Sequence, residues 1–96
     1  MRCFVAKFGD RICAVEVEER PRPTNAIPLF VGIPFVADPR TLRPLPSEHE
    51  GLPWMEIHGI SEDDVLVRAA RYLTDKVGPQ DGVFRLVEPT DPGSAA

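Results

Sequence analysis

One stretch of this sequence specifies both its own beginning and its own end, and the rest of the fold must be arranged around it. Ser61 can cap a helix, Asp64 falls at its third position, and Ile60 can staple onto Val65. At the other end Lys76 lies in the last turn, Gly78 suits the left-handed residue that follows a helix, and Pro79 forbids continuation. The spacing predicts a helix over 62–77. Leu66, Ala69, Ala70, Leu73 and Val77 fall on one side of it, with Arg68, Arg71 and Asp75 mostly on the other. Asp64 with Arg68, and Arg71 with Asp75, have the i,i+4 spacing of ion pairs. An amphipathic helix of this kind needs an apolar surface to pack on.

The N-terminal residues supply that surface. Phe4, Ala6 and Phe8 alternate over 2–9, and Cys13, Val15 and Val17 alternate over 11–19, as in two half-buried strands. Gly9-Asp10 between them reads as a two-residue type II′ turn, which sets Phe8 opposite Arg11 and Ala6 opposite Cys13. In that register Phe4, Ala6, Phe8, Cys13, Val15 and Val17 share the core face. Cys3, Val5, Lys7, Ile12, Ala14, Glu16 and Glu18 share the other, which is half apolar and calls for cover by the Pro-rich segment or another subunit.

Prolines then break the regular pattern. All eleven fall between Pro21 and Pro53 or from Pro79 onward, so they mark irregular connections. Ile27 to Ala37 is strongly apolar, but Pro28 and Pro34 confine it to an edge strand or a packed extended segment. Asp38-Pro39-Arg40-Thr41 reads as a turn that opens a long surface loop to Pro53. Loops of that length tend to be functional or disordered. Trp54–His58 reads as a short strand ended by Gly59, and Val83–Glu88 as the last strand, with Phe84 and Leu86 on one face. If these two strands are parallel neighbours, they make a β-α-β unit with the helix.

The expected architecture is therefore α+β: a small mixed, mostly antiparallel sheet, built from an N-terminal hairpin plus a β-α-β unit, with one amphipathic helix on one face. Residues 1–88 form the domain, 20–53 its irregular Pro-rich segment, and 89–96 a flexible tail. Ninety-six residues leave no room for a second domain.

Composition limits the partners. Eleven Lys and Arg against fifteen Asp and Glu give a net charge of −4 with no basic face, which argues against nucleic acid. The longest apolar run is interrupted by proline and is about half of the roughly 20 residues that a membrane span requires. The N-terminus reaches Lys7 and Asp10 before a signal-like apolar stretch can form, so a cytoplasmic location is expected.

Chemical motifs are sparse. Cys3 and Cys13 fall on opposite faces of the hairpin and are expected as two structural thiols, not a disulfide. Glu48-His49-Glu50 with His58 offers ligand types for a metal but matches no metal-binding spacing, so no metal and no cofactor is expected. The chain has no nucleophile elbow, glycine-rich phosphate loop or paired-carboxylate signature, and no catalytic residue is assigned.

The remaining signals favour a small non-enzymatic protein-binding, assembly or regulatory module, a homodimer or partner of another protein. Its expected contact residues are Trp54, Phe30, Phe35, Val5 and Ile12, because the chain carries more apolar surface than one helix covers. The alternative is a small enzyme or ligand-binding domain with a pocket near Trp54, Glu56 and His58.

Overall fold

The computed structural model describes residues 1–21, 29–45 and 52–87. The chain forms β1 (Arg2–Phe8), β2 (Arg11–Arg20), β3 (Leu29–Val36), β4 (Ile57–Gly59), α1 (Glu62–Lys76) and β5 (Gln80–Val87). The strands build one sheet in the order β4-β3-β2-β1-β5, and every neighbouring pair is antiparallel. The β-α-β unit is present, but its strands β4 and β5 lie at opposite edges. They run in the same direction without being neighbours, and the crossover spans three strands.

The hairpin has the register that its turn dictates, with Phe8 opposite Arg11 and Ala6 opposite Cys13. Gly9 has φ +60°, while Leu42 is the only non-glycine with positive φ among the described residues. Asp10 therefore keeps negative φ, which is the type II′ combination.

The helix lies on the face formed by Phe4, Ala6, Phe8, Cys13, Val15, Val17 and Val36, and buries Val65, Ala69 and Leu73 against it. Burying side chains the size of Phe8 and Leu73 contributes roughly 1.5–3 kcal/mol each. The buried stripe is thus centred on Val65, Ala69 and Leu73, whereas Leu66, Ala70 and Val77 lie at its half-buried margins. Glycine admits the close approach at the start of the helix. A Cβ on Gly32 of β3 would stand 2.3 Å from Val65 Cγ1, so only glycine admits the first turn of the helix.

The helix ends differ in part from the sequence expectation. Ser61 Oγ accepts from the Asp64 N–H (3.0 Å), and Asp64 Oδ2 accepts from the Ile60 N–H (3.1 Å). Ile60 remains 66% exposed, so polar contacts hold the entry and the staple onto Val65 does not. Gly78 does not adopt the left-handed conformation: among the described glycines only Gly9 and Gly82 have positive φ. Gly78 is needed for contact, since a Cβ there would lie 2.9 Å from Gly9 Cα. The Gly9 N–H donates to Pro79 O (2.8 Å) and ties the hairpin turn to the end of the helix.

β3 is neither an edge strand nor a fully paired one. It pairs with β2 along its whole length, but β4 covers only Phe30, Val31 and Gly32. The Ala37 N–H donates to Ile12 O and Val36 O accepts from the Leu45 N–H, so the backbone groups of residues 34 and 36 point away from β2. Pro34 therefore lacks its N–H on the outer side, beyond the reach of β4, where no ladder bond is lost.

Residues 38–45 of the expected surface loop 38–53 are held by local hydrogen bonds. Asp38 Oδ1 accepts from the Arg40 N–H (2.7 Å), the Leu42 N–H donates to Asp38 O, and Ala37 bridges to Pro44. Leu45 and Leu52 both pack against the helix-side core, so both described ends of the segment are anchored. The expected strand at Trp54–His58 starts only at Ile57. Residues 22–28 and 46–51 of the Pro-rich segment, and the tail at 89–96, lie outside the described residues.

Candidate functional site

The expected contact residues divide between the two faces. Val5 and Phe35 are buried with Ala14 and Ala37 on the face away from the helix, where Ile12, Cys3, Leu42 and Val87 pack around them. Leu42, at φ 59°, is brought there by the 38–42 turn. This half-apolar face therefore supplies much of its own cover. Phe30 lies on the opposite face, half-buried against the helix-side core. Trp54 precedes β4 and is 76% exposed.

A cleft of about 390 Å³ opens on the face away from the helix, lined by Val5, Lys7, Ile12, Asp81, Val83 and Arg85 among others. It arises where β1 and β5 fall out of step. Val5 pairs with Arg85 and Lys7 with Asp81, so two residues of β1 span four of β5. Gly82, at φ +84°, absorbs the excess as a bulge. Val5 and Ile12 thus reach one concave surface, whereas the pattern of β5 gave no sign of the bulge beyond the glycine itself.

Of the alternative trio, Glu56 and His58 meet. Glu56 Oε1 lies 3.4 Å from His58 Nε2, and Glu56 Oε2 accepts from Arg20 Nη2 at 2.7 Å. Arg20 also donates to Glu18 Oε1 at 3.2 Å. The Arg20 guanidinium, and then His58, hold the Glu56 carboxyl below its ordinary range; Glu56, and then Glu18, raise the Arg20 value. Sequence reasoning missed Arg20 because β2 and β4 are not neighbours, and only β3 between them sets the distance. This cluster sets one guanidinium against the two carboxylates of Glu18 and Glu56 at the surface, and Trp54, two residues before Glu56, is exposed.

The two thiols are free and divided as the hairpin register requires: Cys13 is in the helix-side core, Cys3 half-buried on the other face. Burial, opposed weakly by Arg11, pushes Cys13 up to about 11, and burial followed by Glu16 raises Cys3. Both are protonated at neutral pH and poor nucleophiles. Among the described residues no three His, Cys, Asp or Glu side chains are grouped to hold a metal ion. Glu48, His49 and Glu50 lie outside those residues. No helix among them is long and apolar enough to cross a membrane. The chain matches no family model, no curated protein and no solved structure.

Proposed function

We propose that this chain is a small, cytoplasmic, non-enzymatic protein-binding or assembly module that self-associates. The observation that supports this reading is the position of its exposed apolar side chains. Trp54 (76% exposed), Met55 and Ile60 flank β4 at one edge of the sheet, and Val83 (79%) and Leu86 lie on β5 at the other. Large apolar side chains gathered at sheet edges favour contact with another chain over solvent. Light scattering over a micromolar concentration series tests it. The expected mass is a multiple of the 10.6 kDa chain; a constant single-chain mass sinks the self-association.

A second reading, a ligand-binding or enzymatic site at Trp54, Glu56 and His58, draws on the 3.4 Å approach of Glu56 to His58 beside the sole tryptophan. Trp54 fluorescence reports on it directly. Saturable quenching by a small molecule, lost in His58→Ala, favours that reading over assembly.

A further inference from the structure

The self-association proposed above leaves open which surface carries it, and β5 has the features of a self-complementary edge. It is the outer strand beside β1, with no proline in Gln80–Val87. Its only charges are Asp81 and Arg85, of opposite sign. Neither makes an ion pair within 4 Å among the described residues, although Arg2 of β1 pairs with Glu62 of α1 and Arg20 of β2 with Glu56. Asp81 stands opposite Lys7 and Arg85 opposite Val5, so both point to the face away from the helix. Val83, 79% exposed, lies midway between them.

Laying a second β5 antiparallel to the first, with the two-fold axis at Val83, puts residue 81 of each copy opposite residue 85 of the other. We propose that two copies of this chain join through β5 in this register, with Val83 meeting Val83 at the axis and Asp81 facing Arg85 of the other copy twice. A shift that sets Arg85 against Arg85, or Asp81 against Asp81, brings like charges together and is disfavoured. The bulge at Gly82 and Val83 interrupts main-chain pairing at the centre, so the flanking side-chain pairs fix the register and make the association sensitive to salt.

The inference rests on the self-association reading, and sedimentation equilibrium on the full chain separates the two. Arg85→Asp or Asp81→Arg alone sets like charges opposite each other at both positions and is expected to weaken the dimer by about tenfold or more. An equimolar mixture of the two variants restores complementarity at both positions, and the heterodimer is expected to form with near wild-type affinity. Val83→Lys places two ammonium groups at the axis and is expected to give monomers with an unchanged circular dichroism spectrum. It keeps the test valid if a charge reversal prevents folding. A wild-type dimer that none of these variants weakens, or charge variants that do not recover on mixing, overturns the β5 interface and leaves self-association standing. A wild-type chain that stays monomeric overturns both.

Discussion

The two edges of the sheet end in different ways. At the β4 edge the outer strand is only three residues long, and the remainder of β3 presents Pro34 outward and is covered where the 37–45 turn folds back to Val36. The first turn of the helix sits on this side through Gly32 and Gly59, and Arg20 is ion-paired to Glu56. At the β5 edge eight residues run along β1 with no further strand beyond them among the described residues. Only a bulge interrupts that edge. A short strand, a proline and a covering turn hinder another chain from adding to a sheet, whereas β5 carries only a central bulge and two charges of opposite sign that a second copy can match. The contrast teaches that exposed apolar residues at the two edges need not serve the same end: Trp54 is displayed from a closed edge, Val83 from an open one.

Substitutions can break this contrast, beginning with the largest expected effect. Gly32→Ala forces a methyl group against Val65 and Val15, both buried and β-branched, and is expected to cost about 2–3 kcal/mol in urea unfolding. It loosens the closed edge by lifting the start of the helix. Gly82→Ala meets no neighbouring atom, but its φ of +84° imposes about 1–2 kcal/mol of backbone strain, read as a lower denaturation midpoint. A cost that matched Gly32→Ala would show that the bulge is more tightly held than the open edge implies.

Ser61→Ala removes the acceptor for the Asp64 N–H and is expected to cost about 1 kcal/mol, with faster amide exchange in the first helical turn over β4. Acid acts on the closed edge next. Glu56, held down chiefly by Arg20, and Asp64, held down chiefly by the Ile60 N–H, have folded values below their ordinary 4.5 and 3.8. Their contribution is fully present above those ordinary values and lost as the pH falls through the lower folded ones. Thermal melts from about pH 6 down to about pH 3, a window that spans the ordinary carboxylate range, should show a smaller acid loss in Glu56→Gln than in wild type. The smallest effect belongs to the open edge: Val83→Thr should change monomer stability by less than about 0.5 kcal/mol, because little contact is lost at an exposed site.

Much of the framework was legible because it is written in local chemistry. Ser61 and Asp64 fix the helix start through bonds three and four residues apart, and Gly9-Asp10 fixes the hairpin register through one turn. The candidate surfaces were less legible. Val5, Ile12 and Phe35 read as available apolar residues, yet Val5 and Phe35 are buried by neighbours from β2, β3 and the 38–42 turn. Arg20 gave no sign of meeting Glu56, 36 residues away.

By itself the sequence determined the elements whose signals repeat over a few residues: the hairpin, the helix and its polar cap, and the division of Cys3 and Cys13 between faces. Tertiary structure alone decided that Gly32 receives Val65, that Gly78 packs on Gly9, and that β4 and β5 lie at opposite edges. The physical reason is range. A cap or a turn is satisfied by atoms close along the chain, whereas close approach and edge position depend on which distant strand arrives alongside, and no local pattern encodes that arrival.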